Sequence, residues 1–355
     1  MNKLLWLVYP DFRVSNPYQD LLALALSDCG LNTRFGTITD ALEATQSSPT
    51  VFHLHWEDTI YATASSENDA RESVEAFLVE LAVFREIGGL VVWTLHNAAP
   101  HEDAFPILSD RLRRSLAKQA DIVHVHGSMA SDLARRNGVS DERIILVPHP
   151  NIAPAYPNDI DDEAARRYFS IDHNETVFAF LGAVRSYKGV DMLLRAFAEV
   201  HRMQPKTQLI LGGRQGKSQE GRYLMPSPGI RQIPHFVDDG IVQYVLRATD
   251  YVVLPYKRIL TSGAVALALG FGRPVIIPDL PTLLEVVQPG REALVFRTGD
   301  HGDLVRAMLE ACEHNWDYRV HLQEQALRTG QSVTFAHLAT ALLGCIHARQ
   351  LMVGK

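Results

Sequence analysis

Short apolar runs alternate with amphipathic stretches along almost the whole chain. In the first half the runs are Leu4–Val8, Val51–His55, Leu90–Leu95, Ile122–Val125 and Ile144–Val147. Helical spacing of apolar positions fills the gaps at Tyr18–Cys29, Glu72–Ile87 and Asp110–Gln119. The pattern restarts with Thr176–Leu181, Thr207–Leu211, Ile230–Ile233, Tyr251–Leu254, Pro274–Ile277 and Ala293–Val295. Helical stretches at Gly189–Met203, Asp238–Ala248 and Gly263–Gly270 connect several of these runs. Strand and helix signals in strict alternation predict βαβ units on parallel sheets, hence an α/β protein.

A seam interrupts the pattern. His149-Pro150-Asn151, Pro154, Pro157 and the acidic stretch Asp159–Glu163 combine prolines with like charges, which disfavour packed structure. The expected domains are residues 1–152 and 153–335, with the apolar-spaced helix in 336–355 packing back on the two-lobed body. With 355 residues, two cores are also the expectation from length. Neither half shows GxGxxG after its first strand, and no Walker A sequence is present. Two Rossmann-like, doubly wound domains with ligands outside the carboxyl ends of the strands fit this pattern.

Composition narrows the classes. Hydrophobic residues make up 46% and charged residues 21%, the balance of a globular protein. The three cysteines are widely separated and suit a reducing cytoplasm better than a disulfide scaffold. The apolar start ends at Tyr9-Pro10-Asp11 without a small-residue cleavage site, so a buried first strand is expected rather than a leader. No apolar stretch reaches the ~20 residues that span a bilayer, so any membrane contact would be peripheral, at the inner face of the plasma membrane. Residues 1–150 hold 12 Lys+Arg against 20 Asp+Glu, a net of −8, while the remainder has a net of +1. An acidic half argues against a nucleic-acid surface and leaves the second half as the home of an anionic ligand.

Two segments of the second half suit such a ligand. FAFLGAVRSYKGVDMLLRAF, from Phe178, reads as strand, small-residue turn and amphipathic helix, with Arg185 and Lys188 in the turn. Cations beside a helix N-terminus clamp a diphosphate, because fixed charge and unsatisfied N–H groups act together. ATDYVVLPYKRILTSGAVALALGFGRPVI adds a second strand, a Pro-Tyr turn and a Thr261-Ser262-Gly263 helix start behind Lys257 and Arg258. Thr261 or Ser262 is a natural N-cap, and Gly263 admits close backbone approach. Taken singly, each segment also reads as a solvated basic turn or a structural cap.

Together, from about Phe178 to Val295, the Arg-x-x-Lys-Gly turn, the Asp-x-x-x-x-Pro-Tyr strand and Gly-Arg-Pro-Val resemble the C-terminal domain of GT-B glycosyltransferases of the family-4-like group. That resemblance implies two Rossmann-like domains facing across a cleft, the first binding the acceptor and the second a nucleotide sugar. Arg185 and Lys188 would hold the donor's diphosphate, and Lys257, Thr261, Ser262 and Gly263 would contact diphosphate or sugar. His235, Phe236 and Val237 would meet the nucleobase, largely through backbone. No metal and no further cofactor are implied. Retaining members of the group carry Glu-x7-Glu, and here Ile259 and Leu267 stand at those positions. The Thr-Ser-Gly variant instead resembles inverting bacterial exopolysaccharide β-mannosyltransferases of the xanthan/acetan type.

Inversion needs a base for the acceptor hydroxyl, expected on the first domain. VFHLHWEDTIY places Glu57 and Asp58 just after a strand, and VVWTLHNAAPHED places His96, His101 and Glu102 after another. Glu57 ranks first. The Thr-x-His-Asn pattern at His96 resembles one used near the reacting sugar. His53 and His55 read as core residues. Pairs such as His124 and His126 lack a third ligand, so fifteen histidines do not make a zinc site. Arg13, Asn16, Tyr18 and Trp56 are the expected acceptor contacts. Arg111, Arg113, Arg114 and Lys118 form a basic cluster, read first as a solvated helix face and alternatively as a contact for anionic lipid.

The reading that follows is transfer of a hexose, mannose favoured, from a GDP- or UDP-linked donor to an oligosaccharide or polyprenyl-diphosphate-linked acceptor in bacterial exopolysaccharide synthesis, with inversion. Its rivals are a retaining transferase, a GT-B-fold nucleotide-sugar epimerase and a non-catalytic two-lobed sugar-binding protein.

Overall fold

A computed structural model describes residues 4–98, 104–214 and 227–353. The chain divides into two compact units, residues 1–150 with 334–355, and residues 151–333. The first contains β1 (Leu5–Tyr9), β2 (Asn32–Phe35), β3 (Thr50–His55), β4 (Leu90–Thr94), β5 (Ile122–Val125) and β6 (Ile144–Leu146). They pair in the order β2-β1-β3-β4-β5-β6, all parallel. Because β2 and β3 flank β1 on opposite sides, the strand order reverses beside β1, where open α/β sheets bind ligands.

β3 is buried at every position, as expected of a strand with helices on both faces. Edge strand β2 is half-exposed and reads NTRF, so no apolar run announces it. The helix Glu67–Glu86 begins five residues before the apolar spacing suggests, because Ser66 caps it by accepting from the Asp69 N–H at 3.1 Å. The final helix, Phe335–Val353, belongs to the first unit and packs along the helix Pro17–Asp28, with the Phe335 and Tyr18 rings 5.0 Å apart.

The second unit contains β7 (Thr176–Leu181), β8 (Thr207–Gly212), β9 (Ile230–Ile233), β10 (Tyr251–Val253), β11 (Val275–Pro278) and β12 (Ala293–Phe296). Their order, β12-β11-β10-β7-β8-β9, is the Rossmann order counted within the unit. The switch point lies between β7 and β10. The hydrophilic helix Trp316–Gln331 packs closely on Gly263–Gly270.

Both units anchor their sheets in one way. An aspartate just before a central strand accepts an N–H from the neighbouring strand and pairs with an arginine. Asp121 takes Val91 N–H at 2.8 Å and Arg85 at 3.1 Å. Asp250 takes Val177 N–H at 2.7 Å and Arg166 at 2.8 Å. The Asp and Arg of the sequence signature are therefore part of the frame: buried Arg273 donates to the Thr249 carbonyl at 3.1 Å and pairs with Asp162 at 2.5 Å.

Candidate functional site

The donor-side residues converge at the switch point of the second unit. β7 and β10 are paired neighbours, and the loops leaving their carboxyl ends carry Arg185 and Lys188 on one side and Lys257 to Gly263 on the other. The Lys257 N–H donates to the Tyr187 carbonyl at 2.8 Å, tying the loops together. Gly189 lets them approach. It sits at φ 68°, and a Cβ there would lie 2.0 Å from the Pro255 carbonyl oxygen. It also opens the helix Val190–Met203. The second helix, Gly263–Gly270, starts beside it, with Ser262 as N-cap accepting from the Val265 N–H at 3.2 Å. Buried Tyr256 holds that cap, its hydroxyl 3.1 Å from Ser262 Oγ.

Positive charge gathers at these two helix starts. Arg185 is exposed, while Lys188 is half-buried against Gly182, where a Cβ would lie 3.0 Å from its Nζ. Burial, then the charge of Arg185, push the Lys188 ammonium down to about 8. Arg185 and Arg258 both act electrostatically on Tyr187, so their charges bear on one spot. Lys257 pairs with Asp191 at 3.6 Å. Among the described residues no carboxylate forms an ion pair with Arg185 or Lys188. A half-buried ammonium beside a guanidinium and two helix N-termini is poised for an anion of high charge density.

Val237 is buried near Gly212 at the end of β8, with its Cγ2 3.1 Å from where a Cβ on that glycine would sit. His235 and Phe236 beside it are exposed, Phe236 by 56%. Thr261 and Gly263 are half-buried. Ile259 lies in the loop, its carbonyl accepting from Thr282 at 2.9 Å, and Leu267 is buried in the helix, so no carboxylate occupies either position.

The first unit arranges its candidates differently from the sequence reading. Glu57 opens a 3-10 turn, Glu57–Ile60, after β3, and is buried. Arg113 Nε donates to its Oε1 at 2.6 Å, with the side chains 8% and 5% exposed, and Trp93 Nε1 donates to Oε2 at 3.4 Å. Both oxygens are thus occupied. Arg113 also donates to the Ala98 carbonyl. Asp58, next along, is half-buried. His101 and Glu102 lie outside the described residues.

Tyr18 is only 1% exposed. Its helix buries Tyr18, Leu22, Ala25 and Leu26, one face at helical spacing, and that face takes the ring into the core. Asn16 spends its side-chain oxygen capping this helix, accepting from the Tyr18 N–H at 3.0 Å. Tyr18 is therefore not presented as a surface contact, while Asn16 is half-buried. Arg13 is exposed, paired with Asp11 at 2.8 Å and set over the Phe35 ring at 4.0 Å. Trp56 is half-buried at φ 40°, a left-handed conformation that is an outlier for so bulky a residue. Its ring stacks on His96 at 4.3 Å and 11°, and meets Phe12 at 5.4 Å. Three of the four members of the basic cluster are paired in place: Arg111 with Glu75, Arg114 with Asp110 and Arg113 with Glu57. The physical case for anionic lipid at that helix is correspondingly reduced.

The feature that sequence reasoning missed is a cluster of six histidines, five of them buried and His149 half-buried. His55, His96, His126 and His149 sit at or just beyond the carboxyl ends of β3, β4, β5 and β6, four consecutive neighbours in the sheet, with His53 and His124 one layer below. Tyr18 makes edge contacts with His55, His96, His126 and His149 at 5.2–5.8 Å. Burial drives all six below the ordinary histidine value, to about 4 for His124 and His149, so all are neutral near pH 7. The signal was present: each strand of the first sheet after β2 ends in a histidine within three residues. Among the described residues no group of three or more His, Cys, Asp or Glu side chains is arranged to hold a metal ion.

Two parallel six-stranded α/β units, the second in Rossmann order with a cationic switch point, define a protein of the GT-B fold. The structure matches Anabaena HepE in complex with UDP and glucose with a TM-score of 0.74, 12% identity and coverage of 98% of this chain and 100% of that one. It matches sucrose-phosphate synthase from Thermosynechococcus elongatus with a TM-score of 0.74 at 14% identity, covering both chains completely. Residues 175–314 match the family described as Glycosyl transferases group 1. It is 28% identical over 287 residues to a GDP-mannose:glycolipid 4-beta-D-mannosyltransferase of Xanthomonas campestris pv. campestris, spanning 78% of this chain and 74% of the relative. It is 27% identical over 274 residues to a D-inositol 3-phosphate glycosyltransferase of Corynebacterium aurimucosum, spanning 71% and 64%. Among the described residues no helix is long and apolar enough to cross a membrane.

Proposed function

We propose that the chain transfers mannose from GDP-mannose to a lipid-linked oligosaccharide in bacterial exopolysaccharide assembly, with inversion at the anomeric carbon and without a metal. The observation that carries the donor reading is the pairing of two helix N-termini with Arg185 and Lys188 at the β7/β10 switch point. The Xanthomonas relatives, GDP-mannose:glycolipid 4-beta-D-mannosyltransferases, favour GDP-mannose and a glycolipid acceptor. Apolar residues at both Glu-x7-Glu positions favour inversion.

In this reading Arg185, Lys188 and the N–H groups behind Thr261, Ser262 and Gly263 bind the diphosphate and stabilise it as it leaves. His235, Phe236 and Val237 meet the base. On the acceptor side, Trp56 and Arg13 contact sugar. Glu57 moves from base to support: with both oxygens engaged, it holds Arg113 and, through it, the Ala98 carbonyl. Asp58, one residue on, takes the role of base. The domains act as 1–152 for acceptor and 153–335 for donor, with the last helix structurally part of the first.

The test is incubation of the chain with GDP-mannose and a polyprenyl-diphosphate oligosaccharide, with proton NMR of the first-formed product. A mannoside of configuration opposite to the donor supports the reading. A product retaining the donor's configuration overturns inversion, and an altered sugar nucleotide formed without acceptor would make the protein an epimerase.

A further inference from the structure

The buried histidines of the first unit are wired in one direction. Trp6 Nε1–H can only donate, and it reaches His53 Nδ1 at 3.2 Å. A neutral imidazole that accepts at one nitrogen donates from the other, so His53 Nε2–H donates to Thr94 Oγ1 at 2.8 Å. The Thr94 hydroxyl then donates to His124 Nδ1 at 3.2 Å, and His124 Nε2–H donates to the Val147 carbonyl at 3.2 Å. His126 Nδ1–H donates to the same carbonyl at 3.2 Å. That leaves His126 Nε2 as a bare lone pair, buried and without a partner among the described residues.

One pair is not fixed by this chain. His55 Nδ1 lies 2.8 Å from His96 Nε2, and either ring could donate. The opposite nitrogen of His55, Nε2, is buried with no hydrogen-bond partner among the described residues. If His96 donated, that nitrogen would carry an orphaned N–H. Buried N–H groups without an acceptor are rarer than unfilled acceptors, and the neighbouring His126 already shows a bare Nε2 tolerated in this cluster. His55 Nδ1–H therefore donates, His96 Nε2 accepts, and the His96 proton sits on Nδ1.

We propose that His55 is a positioning residue that fixes His96 as a hydrogen-bond donor through Nδ1 just beyond the carboxyl end of β4. Trp56 completes the clamp by stacking face to face on the His96 ring, held there in its strained backbone conformation. A donor at Nδ1 grips the oxygen of a sugar hydroxyl and cannot take a proton at that atom. The inference rests on the transferase reading for its sugar, and it gives His96 the work of orienting substrate while leaving proton removal to a carboxylate.

The test is long-range proton–nitrogen NMR of the imidazole rings in the full-length, nitrogen-15-labelled chain at pH 7.5, with His55→Asn and His55→Phe beside the wild type. The expected result is His96 protonated only at Nδ1 in the wild type and in His55→Asn, whose amide N–H stands in for His55 Nδ1–H. His55→Phe should show both His96 tautomers and at least tenfold lower turnover, with GDP affinity unchanged by calorimetry. A wild-type His96 protonated at Nε2, or a pure Nδ1–H tautomer surviving in His55→Phe, overturns the proposal. Failure of the chain to bind GDP would instead count against the transferase reading and leave the tautomer result standing.

Discussion

Glu57 shows how one contact changes a residue's meaning. A carboxylate after a strand reads as a base in sequence, yet its partner Arg113 is 56 residues away and no local pattern announces it. Removing one member of a buried ion pair strands the other charge, so Glu57→Gln should cost about 3–5 kcal/mol in urea unfolding. A variant of wild-type stability lacking only turnover would restore Glu57 as the base. The histidines carry a second consequence. Their folded-state pKa lies below the unfolded value, so below about 6.5 the unfolded chain takes up protons that the folded one refuses. The stability lost therefore grows as pH falls from about 6.5 toward about 4. At pH 5 each of His124 and His149 should contribute a loss of about 2 kcal/mol. The urea midpoint of the first unit should drop between pH 7.5 and pH 5.0, and an equal or higher midpoint at pH 5.0 would contradict this account of the cluster.

Among elements, the strands buried on both faces were legible because their buried positions are filled mostly by apolar residues, as in β3, β7 and β8. The edge strand β2 and the hydrophilic helix Trp316–Gln331 were not, since each is defined by what packs beside it. The geometry of the proposed donor site was legible for the same local reason: strand, turn, cation and helix start follow one another within about fifteen residues of sequence. The histidine cluster was not, because it assembles from four strand ends spread between His53 and His149. Gly189 is the point of closest approach in the proposed donor site, where two loops touch because no side chain intervenes. Gly189→Ala should push the β7 and β10 loops apart, cost at least about 1 kcal/mol of stability and weaken nucleotide binding. A variant with wild-type stability and affinity would show that the close approach to Pro255 is incidental.

Across the whole molecule, the two units divide charge and chemistry. Residues 1–150 carry a net charge of −8 and a neutral histidine interior, while the second unit places Arg185 and Lys188, without a carboxylate partner among the described residues, where two helices begin. An acidic half and a half with a cationic switch point suit different ligands, as the proposed transfer requires. Calorimetric titration of the full chain with GDP and UDP, repeated on Arg185→Ala and Lys188→Ala, tests this division most directly. The account predicts that the wild type binds GDP and that each substitution weakens binding at least tenfold, about 1.4 kcal/mol. Unchanged affinity in both variants would contradict it.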